Sequence, residues 1–162
     1  MSNETNEQTA AKSDVEPAQL PDDVDWLLVS LIETYAADMV HIGVTLTVGG
    51  SVVSGTLISG RTYFAEVHDF LKSKSAEEGD LFAEIAADFG SMGPDIYDKP
   101  KDAPEDWQPT PPTYIHLKEA RFHAPGGSAI PQKTGFLWRG KLASVDAFCV
   151  GSFTSGEPSD DE

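Results

Sequence analysis

Apolar positions along the chain change period several times, and each change marks a different kind of element. Val24, Leu27, Leu28, Leu31, Ile32 and Tyr35 recur at three- and four-residue spacings. That pattern predicts a helix over 22–39 with one apolar face, capped by Asp22 or Asp23. Period two follows, with Val44, Leu46 and Val48 alternating against Thr45 and Thr47, and 51–58 continues in β-branched style. Gly49-Gly50 between the two runs predicts a hairpin, because both turn residues can take positive φ. Gly55, inside the second strand, marks a bend or bulge where the sheet curls.

Helical spacing returns at Tyr63, Phe64, Val67 and Leu71, then at Leu81, Phe82, Ile85 and Phe89 behind a capping-box-like Ser75-Ala76-Glu77-Glu78. An inserted helical hairpin over 60–90 is expected, with Gly90 just past its end. Pro94, Pro100, Pro104, Pro109, Pro111 and Pro112 lie among charges, so 91–112 reads as a flexible linker. Its Trp107 is either an anchor on the core or a contact for a partner. Strand chemistry resumes over 113–123, 135–141 and 142–150, with Ala124-Pro125-Gly126-Gly127-Ser128 as a loop. The polar ends, 1–20 and 154–162, cannot bury enough surface to order themselves and are expected to be disordered. The order implies one α+β domain over 21–153: a small, strongly bent antiparallel β-barrel behind an N-terminal helix, with the helical hairpin inserted.

Charge narrows the partners. Lys+Arg 11 against Asp+Glu 27 gives a net charge of -16. Nucleic-acid backbones and anionic membranes are disfavoured, since both are held by clustered cations. The N-terminus has no basic start followed by an apolar stretch, and no run approaches the ~18 apolar residues of a membrane span. The single cysteine, Cys149, sits in an apolar run and reads as a buried small hydrophobe; with no second thiol an intrachain disulfide is impossible. A cytoplasmic protein is expected.

No constellation earns an enzyme assignment. His41, His68, His116 and His123 lack metal-ligand spacing and read as surface or boundary residues, with His116 and His123 on opposite faces of one strand. Asp80, Glu84 and Asp88 read as the solvated face of a helix. No glycine-rich loop carries a phosphate-binding lysine, and no Gly-x-Ser-x-Gly is present. No catalytic, cofactor or metal residues are therefore assigned. Trp138-Arg139-Gly140-Lys141 is the one unusual run, an aromatic beside two cations in an acidic chain. It reads either as a protein-contact site at Trp138, Arg139 and Lys141, or as a core Trp with Arg139 paired to a carboxylate such as Asp146.

Two resemblances follow. The glycine-bearing second strand and Trp138-Arg139-Gly140 are similar to Sm-like and SH3-like barrels, which implies exposed edge strands able to pair between subunits into a ring. More of the chain resembles the gas vesicle accessory protein U family. Its N-terminal signature is matched by Thr45-Leu46-Thr47-Val48-Gly49-Gly50, then Val53-Ser54-Gly55-Thr56-Leu57-Ile58-Ser59 and Tyr63-Phe64. Ile115-His116-Leu117-Lys118, Phe136-Leu137-Trp138-Arg139-Gly140-Lys141-Leu142 and Val145-Asp146-Ala147-Phe148 match the C-terminal signature. The resemblance covers about 24–153 without the Pro-rich linker. It implies a non-catalytic accessory protein located with gas vesicles in the cytoplasm. Its partners would be itself, as a homo-oligomer, and the vesicle shell or other gas vesicle proteins, with a role in clustering or assembly support. Gly49, Gly50, Gly55, Tyr63, Phe64, His116, Gly140 and Asp146 are then structural motif positions. The acidic tail from Gly156 to Glu162 departs from the basic or Ser/Lys-rich tail of the family. The competing reading is an Sm-like ring protein that binds nucleic acid.

Overall fold

A computed structural model describes residues 23–36, 41–77, 79–125 and 128–153. The expectations for 1–20, for 154–162, for Gly126-Gly127 and for the first helix past residue 36 fall outside these residues.

Helix α1 (Trp26–Tyr35) starts at Asp25 rather than Asp22 or Asp23. The Asp25 Oδ1 accepts the Leu27 amide at 2.8 Å and the Leu28 amide at 3.4 Å, a cap worth about 1 kcal/mol. Its buried face is rotated from the expected one. Leu28, Val29 and Ala36 are buried with Val24 and Ile32 beside them, while Leu27 and Tyr35 face outward. One residue turns a helix by about 100°, and both neighbouring stripes are apolar here, so spacing alone does not choose between them.

Five antiparallel strands form one sheet in the order β4-β3-β2-β1-β5: β1 (Gly43–Val48), β2 (Ser51–Ile58), β3 (Tyr114–His123), β4 (Phe136–Lys141) and β5 (Val145–Val150). Gly49 and Gly50 turn β1 into β2 with φ of 55° and 78°. Val44, Leu46, Val53, Leu57, Ile115, Leu117 and Ala120 line one face and pack with α1 and Leu142 as the main core. Burying each large aliphatic side chain contributes about 1.5–3 kcal/mol. Phe148 joins the rim of this core half-buried.

The sheet is strongly curled. Its outermost strands, β4 and β5, would lie about 19 Å apart in a flat sheet. They are joined only by the 3₁₀ turn Leu142–Ser144, and that connection reaches at most ~14 Å. The curl does not close into the expected barrel. Among the described residues β4 bonds only to β3 and β5 only to β1, so each keeps one free edge. Irregular register at Thr47/Val48 and at Leu117/Ala120 bends the strands and brings the edges near one another without aligning them for hydrogen bonding.

The inserted hairpin is longer than expected. Helix α2 (Gly60–Lys72) is capped by Ser59, and α3 runs from Leu81 to Tyr97, into the segment read as linker. Its cap is Asp80, not the Ser75-to-Glu78 run: the Asp80 Oδ1 accepts the Ala83 amide at 2.8 Å, and this bond, with others to nearby amides, lowers the Asp80 pKa. Gly90 is interior to α3 rather than beyond its end. Pro94 removes one amide donor, and Asp98 N still closes onto Pro94 O at 3.0 Å, so a proline in the last turn does not stop the helix. Beyond it, turns at Pro100–Ala103 and Pro104–Trp107 follow, and Trp107 is half-buried. α2 and α3 lie against the face of the sheet opposite α1, where the ring of Tyr63 of α2 packs at a tilt on His116 of β3. Among the described residues no helix is long and apolar enough to cross a membrane.

Candidate functional site

The outer face of β3 and β4 is built around a bulge that periodicity alone does not show. Glu119 sits at φ 51°, an uncommon conformation for a side-chain-bearing residue. Gly55 lies opposite. A Cβ there would come within 3.0 Å of Lys118 O and 3.1 Å of Ala120 Cα, so the strands approach this closely only because position 55 has no side chain. The extra residue inverts the alternation of β3. Leu117 pairs with Leu57 and Phe122 with Val53, both on the core face. His116 and His123 therefore share the outer face, contrary to the simple alternation expected of them.

This face gathers four cations within a chain of net charge -16, one of them, Arg121, ion-paired with Glu119 at 3.6 Å. By register, Lys118 and Arg121 of β3 and Arg139 and Lys141 of β4 project from it, along with His116 and His123. Arg139 is the most constrained of them. Its guanidinium lies 3.3 Å from the centre of the Tyr114 ring, and its Nε–H donates to His116 Nε2 at 3.3 Å. Asp146 is not its partner: the Asp146 Oδ2 accepts the Gly49 amide at 2.8 Å and ties the β1–β2 turn to β5. Lys118 Nζ donates to His41 Nε2 at 3.1 Å, and Arg121 donates to Lys133 O at 2.8 Å.

His116, expected as a surface or boundary residue, is buried at 3% exposure beneath Tyr63 and Tyr97, with ring centres 4.9 Å and 6.1 Å away. Burial, reinforced by the Arg139 charge, lowers its pKa to about 4. The imidazole is thus neutral at pH 7 with Nε2 as the acceptor, and it holds Arg139 without competing for charge. Burial also raises the Tyr63 and Tyr97 phenols, an effect that Arg139 partly opposes. Gly60 admits the Tyr97 ring, which would collide with any Cβ at that position. Phe64 is buried between α2 and α3, its ring centre 5.9 Å from that of Phe89. Trp138 faces the core side, half-buried and folded over Gly140, where no Cβ would fit. Trp138 therefore anchors β4 on the core side, as the core-Trp reading has it, while Arg139 and Lys141 face out and Arg139 has no partner in Asp146.

Sequence reasoning missed one pair. The hydroxyl of Ser54, on β2, is 2.6 Å from His123 Nε2 beside a cavity of about 210 Å³ lined by Gly55, Arg121 and Phe153. The bulge alone brings the two together. The Phe153 ring packs on His123 at 5.1 Å, and no carboxylate bonds to that imidazole among the described residues. Arg121 Nε is buried there without a hydrogen-bond partner. No group of three or more His, Cys, Asp or Glu converges as a metal site among the described residues. Cys149 is exposed, not buried, because β5 is an edge strand and this side chain lies on the outer face.

These features define an α+β protein built on an open, curled five-stranded sheet with a cationic outer face and two free edges. The chain belongs to the family described as gas vesicle protein GvpU-like, whose model matches residues 25–153. No curated protein and no solved structure matches it.

Proposed function

We propose that the protein is a non-catalytic gas vesicle accessory protein that binds itself and the vesicle surface, joining vesicles or supporting their assembly. The family match over 25–153 carries the gas vesicle assignment. The two free sheet edges support self-association, because β4 and β5 each leave one side of the strand without a hydrogen-bonded neighbour among the described residues. Pairing β4 of one copy with β5 of the next is heterologous, so it completes the curled sheet between copies and leads to a ring or an open array. The cationic face supports contact with carboxylates of a second protein, since Arg139 is held in place by Tyr114 and His116 before any partner arrives. The Ser54–His123 pair lacks an orienting carboxylate among the described residues and so does not favour nucleophilic catalysis.

Flotation of isolated gas vesicles with the purified chain tests this reading. The chain is expected to rise with the vesicles, and Arg139→Glu to stay behind with its circular dichroism unchanged. Wild-type protein left wholly in the lower layer rejects it. The nucleic-acid reading draws on the same cationic face and is opposed by the net charge; it requires RNA to co-purify, which the 260/280 nm absorbance ratio reveals.

A further inference from the structure

Helix α3 carries two seams, and among the described residues only one has a partner. Ala86, Gly90, Gly93 and Tyr97 face α2: a Cβ on Gly93 would lie 3.2 Å from Phe64 Cβ, and one on Gly90 3.1 Å from the His68 ring. The other seam is Phe82, Ile85, Met92 and Ile96, spaced by three, seven and four residues, while Phe89 at its border packs toward Phe64 of α2 at 5.9 Å. Phe82 is 46% exposed, Met92 41% and Ile96 57%, and Leu81 beside them 68%. Scattered surface hydrophobes are ordinary, but a row at this spacing is how one helix meets another. The row extends about 21 Å, some four turns.

The border of the row indicates what fits it. On an α-helix Glu84, Asp88 and Asp95 fall along the side of the seam away from α2, and α3 contains no Lys or Arg. Two copies of α3 laid seam to seam would set these carboxylates against one another, in chains that already carry -16 each. An anionic lipid surface meets the same repulsion.

We propose that this seam docks an amphipathic helix of another protein, one whose apolar stripe is bordered by Lys or Arg. The surface is separate from the cationic sheet face, so the protein offers partners two contact sites of opposite charge.

Two synthetic peptides of about 21 residues, three heptads each with the same Leu seam, test the proposal. One is rimmed by Lys and the other by Glu, and fluorescence anisotropy measures their binding to the full chain. The Lys-rimmed peptide is expected to bind saturably, and the Glu-rimmed one not to bind. Met92→Glu and Ile96→Glu, at exposed positions that leave the fold intact by circular dichroism, are expected to weaken binding at least about tenfold. Glu84→Lys with Asp88→Lys should move the preference toward the Glu-rimmed peptide. Three results overturn the proposal: no binding by the Lys-rimmed peptide, equal binding by Met92→Glu and wild type, which would be attraction to net charge alone, or a wild-type dimer in sedimentation velocity that Met92→Glu dissolves.

Discussion

His116 shows how a residue of ordinary appearance acquires a role from what covers it. Nothing in its strand position distinguishes it from the other histidines. The two tyrosines above it come from α2 and α3, the helices of the hairpin, which the Pro-rich segment separates from β3 in sequence, so its burial could not be read from local pattern. Its folded pKa of about 4 lies below the ordinary value of 6.5. The folded state therefore resists a proton that the unfolded state accepts. The resulting stability is complete above about pH 6.5 and is lost as pH falls toward about 4. Between pH 7 and pH 5 this group is expected to cost the fold about 2 kcal/mol. Urea unfolding at both pH values measures it: His116→Gln, which keeps an acceptor for Arg139, should lose less stability across the interval than wild type. Equal losses in the two proteins would mean that His116 titrates normally. Gly55 was legible in the sequence as a bend because glycine inside a strand has few other uses. That the bulge sits across from it, at Glu119, depends on a long-range register that no local window contains.

At the scale of elements, the hairpin at Gly49-Gly50, the β3 strand and the two helices of the insertion follow from periodicity, whereas the sheet order does not, because β5 bonds to β1 and not to its sequence neighbour β4. The errors have common causes. The rotation of α1 arose because Leu27 and Tyr35 extend an apolar stripe next to the buried one, and only the sheet selects between them. The extension of α3 was hidden by Pro94, which ends most helices but here occupies the last turn. Closure of the sheet was inferred from strand count and a glycine bend, and it fails because β4 and β5 each bond on one side only. The free edges have a testable consequence. The Gly151 amide donates to Gly43 O at 2.7 Å. Antiparallel ladders alternate, so the amides of Phe148 and Val150 point away from β1. Proline on that outward side is tolerated in an edge strand but removes a donor a second copy would need. Val150→Pro is expected to remain folded and to lower the self-associated fraction in sedimentation velocity severalfold. An unchanged distribution would show that β5 is not the association edge.

For the whole molecule, charge sets two opposing responses. The net charge of -16 repels copies from one another over roughly a Debye length, about 10 Å at 0.1 M salt. The local cationic face attracts carboxylates over the same range. Raising salt from about 0.05 to 0.5 M is therefore expected to strengthen self-association and to weaken vesicle binding through Arg139. Light scattering of the protein alone and flotation with vesicles, run over one salt series, should move in opposite directions. Sequence alone gave the sign and size of the net charge. It did not give the segregation of Lys118, Arg121, Arg139 and Lys141 onto one face, because the bulge at Glu119 decides which side Arg121 takes.

Joining vesicles requires vesicle contact and self-contact together, so the size of vesicle clusters reports on both at once. Purified chain titrated into isolated, singly dispersed gas vesicles is expected to increase their mean hydrodynamic size with protein concentration, with the chain found in the clusters. Vesicles that stay single while coated with the wild-type protein would contradict the account.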